Sequence, residues 1–395
     1  MPVTCQPDIA IVGGGIAGLW LLNRARAQGY SAVLLTNNDL GHAQTIASQG
    51  MIHGGLKYAL AGTLSGESEA IAAMPDRWNA CLAGNGEIDL SAVNVLSRDF
   101  YLWSSGQLAS RLSSFFASKA LRGRIESIAR ADHPAALANP AFRGSVYRLV
   151  DVVLDVPDLL RQLAAPHRDC IYRIDDQALH WDAHDGRVRA LCLGEGIRME
   201  AQHLVLAAGA GNADLLEKLG VDTPAMQTRP LHQVLVSHPD LPTLYGHCTG
   251  GSTKASPRLT VSTHTRTDGQ RVWYLGGDLA TDGVRRTPAE QLAFARQELG
   301  SIFPWMPWRD ARFASLWVDR AEPLQPQRIK PDEAFAAPAG GFANVTVAWP
   351  TKLTLAPDLA DRVLAQCPAP ARREAPAALP LPQPGIAAPC WEQLL

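Results

Sequence analysis

Three glycines near the start of the chain, Gly13, Gly15 and Gly18, lie between two short apolar runs, and they restrict the fold more than any other feature. Residues 8–12, Asp-Ile-Ala-Ile-Val, read as a buried strand. Leu19, Trp20, Leu21, Leu22, Ala25 and Ala27 read as a helix that ends near Gly29, and residues 31–36 as a second strand. A G-x-G-x-x-G inside a β-α-β unit of ~30 residues is the arrangement that cradles a dinucleotide pyrophosphate. Gly13 permits the tight turn, Gly15 the close approach of backbone to phosphate, and Gly18 the close packing of helix on strand. The helix N-terminus adds amide donors and the positive end of its dipole. The second strand ends at Thr36, followed by Asn37, Asn38 and Asp39, where such units usually carry Asp or Glu for the adenosine ribose. The phosphate cradle is therefore strongly marked, and the ribose contact falls to Thr36, Asn37 or Asp39.

Composition narrows the class. At ~150 residues per domain, 395 residues make two or three folding units. With 47% hydrophobic and 19% charged residues a large core is available, which excludes global disorder. A net charge of -2 gives no electrostatic reason to expect nucleic acid as a partner. No window reaches the ~18 apolar residues of a membrane span, and the N-terminus lacks the basic segment and cleavage site of a signal peptide, so a cytoplasmic location is expected. The 7 Cys include no C-x-x-C pair, so no metal site or thioredoxin-type centre is expected.

Further along, 172–174, 177–181, 188–193 and 197–200 read as short strands, preceded by a helix at 158–165. Residues 203–211 follow as a buried strand ending in Ala208 and Gly209, so the short strands look like a meander inserted into a nucleotide-binding sheet. Strands are expected at 233–236, 259–262 and 272–275, and a helix at 288–302. Trp273, Trp305, Trp308 and Trp317 are expected to face the core of this sheet. A last strand at 343–348 leads through the turn 351–357 into a helix at 358–365. Beyond Cys367 the Pro- and Ala-rich residues 368–395 read as an extended tail, packed by Trp391 and Leu394.

At this point the residues resemble a family. The N-terminal glycine unit, Ser48-Gln49-Gly50-Met51-Ile52-His53-Gly54-Gly55-Leu56-Lys57-Tyr58, the strand at 204–211 and the closing segment 348–357 are similar to the FAD-dependent D-amino-acid oxidase superfamily, in motif order over residues 8–366. Within it, Ile52-His53-Gly54-Gly55-Leu56-Lys57-Tyr58 resembles the I-H-G-G-L-R-Y segment of FAD-dependent glycerol-3-phosphate dehydrogenases and the I-H-A-G segment of L-2-hydroxyglutarate dehydrogenases. Thr351-Lys352-Leu353-Thr354 resembles the G-K-L-T segment of the glycerol-phosphate enzymes.

The resemblance implies an α/β fold: a discontinuous Rossmann-type FAD-binding domain (1–75, 146–222, 319–367) interleaved with a mostly antiparallel β substrate domain carrying helices (76–145, 223–318). It implies FAD as cofactor. Gly13, Gly15, Ile16, Ala17 and Gly18 would hold the pyrophosphate, and Thr36 and Asn37 the adenosine end. Thr45, Ser48, Gln49 and Gly50, with Ala208 and Gly209, would line the cofactor. Lys352, Leu353 and Thr354 would bring backbone amides to the electron-rich edge of the flavin, where a helix N-terminus stabilises negative charge. Loop residue His42 is the neighbour a covalent tether would use, though an untethered loop His is the favoured reading.

The implied reaction is oxidation of the CH–OH group of a small anionic substrate, a hydroxy acid or polyol phosphate, by hydride transfer to FAD. That chemistry needs a base and cations. His53, in the family's motif, and His232, at the head of a strand, are the candidate bases; His247 and His264 are weaker candidates. Arg320, Lys57 and Lys352 are the candidate cations, with Tyr58 beside them. Lys57 stands where the glycerol-phosphate enzymes have Arg, losing a bidentate fork. Oxidation of an amine or amino acid on the same fold is the alternative, and a flavin-binding protein without turnover another. The residues do not choose among oxygen, a quinone and a protein carrier as electron acceptor. The basic stretch 111–124, with Phe115 and Phe116, is read as a solvated helix face in preference to a membrane-surface contact.

Overall fold

The computed structural model describes residues 3–54, 66–104, 125–194, 196–249, 256–326, 331, 333–371 and 378–395, at 66–70 and 72 by backbone alone. Its first layer is a six-stranded sheet in the order Ile171–Arg173, Ala32–Thr36, Ile9–Val12, His203–Leu206, Val345–Trp349, Phe335–Pro338. Every pairing is parallel except the last. The four central strands are buried at every residue, as expected of a parallel sheet covered on both faces. One face packs on the helices Ile16–Ala27, Val156–Ala164, Gly66–Leu82 and Ala356–Leu364. Asp155 caps the second of these by accepting from the Asp158 amide.

The opposite face packs on a separate four-stranded sheet, in the order Val3–Cys5, Ile197–Met199, Arg187–Leu193, His180–His184. The expected meander is therefore a second layer, not an insertion within the nucleotide-binding sheet. Within it, 177–181 is not one strand. The Asp175 carboxylate accepts from the Gln177 amide and winds Asp176–Ala178 into a single turn, so the strand starts only at His180.

The other large layer is an eight-stranded sheet: Arg312–Pro323, Met226–Ser237, Arg271–Gly276, Leu259–Thr265, Gly246–Thr249, Phe100–Ser104, Ser145–Leu149, Ile125–Ser127. All its pairings are antiparallel save Gly246–Thr249 with Phe100–Ser104. The helix Pro288–Ile302, with a full capping box between Thr287 and Glu290, closes the core over Trp103, Trp273 and Phe303. Trp308 is also in this core, but Trp317 is 47% exposed and lies outside it.

Two expected domain boundaries move. Trp78, Cys81, Ile88 and Val93 belong to the core of the parallel sheet, so 76–93 side with the first unit. Residues 146–149, expected in the first unit, run within the strand Ser145–Leu149 of the eight-stranded sheet. The chain then bends at Val150 and Asp151 into Val152–Leu154, which pairs with Met51–Ile52 and Val95–Ser97. The tail is also more structured than its composition suggests: Cys390–Leu394 forms a short helix after Pro389, the last proline. Trp391 is buried and stacked on His264 with ring centroids 4.1 Å apart, whereas Leu394 is exposed.

Candidate active site

A cleft of about 1020 Å³ opens where the carboxyl ends of the parallel strands face the eight-stranded sheet. That is at the top of the ~300–1,000 Å³ range of cofactor and small-ligand sites. Gly13, Gly15, Ile16, Ala17, Thr36, Asn37, Thr45, Ser48, Gln49, Gly50, Ala208, Gly209, Lys352, Leu353 and Thr354 all line it, as do His53 and Arg320. Gly18 does not, and acts from behind. A Cβ there would sit 1.9 Å from the Gly13 carbonyl oxygen, so only glycine lets this helix approach the turn. Lys57 and Tyr58, and the whole basic stretch 111–124, lie outside the described residues.

The phosphate end has the donors an anion needs. Helix Ile16–Ala27 starts at Gly15 with no side-chain cap and no acidic residue in its first turn. The Ile16 amide donates to Thr45 Oγ1, while those of Gly14, Gly15 and Ala17 bond to no described residue. Buried amides at a helix N-terminus without partners are what a pyrophosphate satisfies. At the adenosine end, the Thr36 hydroxyl donates to the Asn38 carbonyl and Asn37 donates to Asp176. Asp39 bonds the Gly385 amide and pairs with Arg173, turned toward the tail.

The middle of the cleft is equally built. Ser48 Oγ is buried without a hydrogen-bond partner among the described residues. Gln49 Nε2 donates to the Tyr274 carbonyl and Ser262 Oγ, tying this segment to the eight-stranded sheet. Across the cleft, Thr351 takes a left-handed φ of 59° and its hydroxyl donates to the Glu333 carbonyl. This bend turns the amides of Leu353 and Thr354, which bond to no described residue, to the start of the helix Ala356–Leu364. A dinucleotide with a charge-accepting ring fits these donors at both ends.

His53 lies between those parts. Its amide donates to Thr354 Oγ1 at 3.1 Å, and its Nδ1 is 2.9 Å from Asp151 Oδ2. Asp151 Oδ1 accepts from the Gly54 amide at 2.9 Å. The ring stacks on His247, centroids 5.5 Å apart, and meets the edge of Phe100 at 6.0 Å. His247 in turn bonds Thr260 Oγ1 through Nδ1.

His232 is a correction. It is fully buried and does not line the cleft; its strand neighbours Leu231 and Gln233 do, because successive strand residues face opposite ways. His232 Nδ1 donates to the Gly283 carbonyl, and the ring stacks on Trp317 at 4.3 Å. His264 is likewise buried, away from the cleft, with burial pushing its pKa down to about 3.

Arg320 meets the cleft differently from its neighbour. Glu322 is taken by Arg229 in a bidentate pair, and Arg320 donates Nε to the Arg229 carbonyl at 3.1 Å. Neither Asp319 nor Glu322 forms an ion pair with Arg320, and its terminal nitrogens bond to no described residue. Burial first, and the nearby Arg229 second, lower its pKa to about 10. A half-buried cation with no ion-pair partner among the described residues, its burial offset only in part by nearby Glu322, is stabilised by an anionic ligand. Asp151 went unread in the sequence, although an Asp inside the apolar run Leu149-Val150-Asp151-Val152-Val153-Leu154 is itself a signal.

Comparison with known proteins fits this geometry. The family model described as DAO, FAD dependent oxidoreductase, matches residues 8–348. The chain is 51% identical over 398 residues to Probable FAD-dependent oxidoreductase PA4991 of Pseudomonas aeruginosa, covering 99% of each. The crystal structure of PA4991 superposes with a TM-score of 0.85 at 45% identity, over 100% of this chain and 99% of that one. Glycerol-3-phosphate dehydrogenase of the same bacterium is 43% identical over only 51 residues, 13% of this chain and 10% of that protein. Glycine oxidase from Geobacillus kaustophilus shares the fold, with a TM-score of 0.63 and 16% identity over 93% of this chain and 99% of that one.

Proposed function

Because the chain belongs to the family of FAD-dependent oxidoreductases, we propose that its cleft oxidises the CH–OH group of a small anionic substrate, a hydroxy acid or polyol phosphate. FAD, when bound, supplies the hydride acceptor. The amides of Gly14, Gly15 and Ala17 would hold its pyrophosphate, and those of Leu353 and Thr354 would stabilise negative charge on its ring. Arg320, with Lys352 on the same cleft, binds the substrate's anionic group and orients it. His53 takes the hydroxyl proton.

The observation that carries this reading is the pairing, in one cleft, of a base with a cation that forms no ion pair among the described residues: His53 held by Asp151, and Arg320. A hydroxyl gives up its proton only to a positioned base, whereas a neutral amine already offers a lone pair. The His53–Asp151 pair thus supports hydroxyl chemistry. The whole-chain likeness to a protein titled glycine oxidase is one of fold and leaves amine oxidation as the competing outcome. An anaerobic visible spectrum, recorded while matched hydroxy acids, amino acids and polyol phosphates are added, tests it. Bleaching of the flavin by a hydroxy compound supports the reading. Bleaching by the amino acids alone replaces it with amine oxidation.

A further inference from the structure

We infer that Asp151 makes His53 a base by fixing its tautomer: the carboxylate keeps the ring proton on Nδ1 and leaves the Nε2 lone pair toward the cleft. Only the identity of the proton donor rests on the functional reading above; the tautomer does not. The Asp151 side chain is 5% exposed, and each of its oxygens has one donor in place, the Gly54 amide at Oδ1 and His53 Nδ1 at Oδ2. An ionised carboxylate only accepts, so Nδ1 must carry the hydrogen. The ring cannot swing away. Its backbone is tied to Thr354, His247 stacks on it and Phe100 meets it edge-on. His53 Nε2 bonds to no described residue, on a side chain 37% exposed in the cleft.

In the proposed reaction His53 Nε2 would take the substrate O–H proton; FAD, when bound, would supply the acceptor for the C–H hydride, leaving a C=O bond. Asp151 stays ionised throughout and stabilises the imidazolium that results. It is a positioning residue. Of the titratable groups on the neighbouring elements, His247 of Gly246–Thr249 stacks on the ring, and Lys352 of the turn before Ala356–Leu364 lines the same cleft.

Asp151→Asn is the diagnostic change. Its carboxamide oxygen still accepts from Gly54, but its NH₂ donates to His53 Nδ1 and drives the proton to Nε2. The test is nitrogen NMR of the FAD-loaded protein labelled with ¹⁵N-histidine, at pH about 8, above the ordinary imidazole pKa of ~6.5. His53→Asn identifies the His53 signals by difference. The expected result is a neutral ring protonated on Nδ1 in the native protein and on Nε2 in Asp151→Asn. With the compound that best bleaches the flavin, Asp151→Asn should slow bleaching ~10²–10⁴-fold, with FAD content and substrate dissociation constant changed less than about threefold. Asp151→Glu should recover part of the rate. A native ring protonated on Nε2, or on both nitrogens at this pH, overturns the inference. So does an Asp151→Asn protein that bleaches at the native rate. If no compound bleaches the flavin, the functional reading fails while the native tautomer still decides this one.

Discussion

Arg320 and Arg229 stand on neighbouring strands directly across from one another, yet their environments differ completely. Arg229 has both Glu322 oxygens; Arg320 has a carbonyl and the cleft. Replacing Arg320 by Ala is therefore expected to weaken substrate binding by about 10- to 100-fold, seen in KM or in the concentration that half-bleaches the flavin. Arg320→Lys should recover only part, since a point charge replaces a planar fork. An unchanged KM in Arg320→Ala would remove it from the substrate site. Sequence alone could not separate these two arginines, because the difference lies in which of them Glu322 reaches across the strand pair. The same limit explains His232: its place in the sequence suits a base, and the pleat of its strand turns it away.

At the level of elements, the β-α-β unit was fully legible, because its glycines serve local contacts within one short stretch. Helix Pro288–Ile302 was legible for the same reason: Thr287, Pro288 and Glu290 write its start into the sequence. The tail was not. Its prolines report that no long helix forms, but not that the final residues turn once more and seat Trp391 against His264 and Tyr274. Gly18→Ala is expected to cost about 1–3 kcal/mol, because its methyl group meets the Gly13 carbonyl, and to lower the FAD content of the purified protein. Absorbance of bound flavin against protein checks this. Trp391→Ala, which empties a buried site, is expected to cost ~3–5 kcal/mol in a denaturation curve.

Over the whole molecule, the two sheets meet along a seam that is also the cleft, and side chains from both sides bridge it. Gln49 reaches Tyr274 and Ser262, and the Tyr274 hydroxyl reaches the Ala47 carbonyl and Gln233. No sequence pattern announces such long-range bonds. Two buried histidines make this architecture sensitive to acid: burial lowers the His203 pKa to about 4 and that of His264 to about 3. Both stay neutral in the folded chain while the unfolded chain gains protons below pH ~6.5, so stability falls as pH drops from there toward 4. The expected slope is ~1.4 kcal/mol per pH unit for each histidine, and His264→Asn should remove one such share in denaturation curves taken across that range. The most direct test of the central claim is the anaerobic rate of flavin bleaching by a hydroxy acid and by the amino acid of the same skeleton, in the native protein and in His53→Asn. The account predicts that the hydroxy acid bleaches the native flavin and that His53→Asn slows it ~10²–10⁴-fold. Fast bleaching by the amino acid, indifferent to His53→Asn, would contradict it.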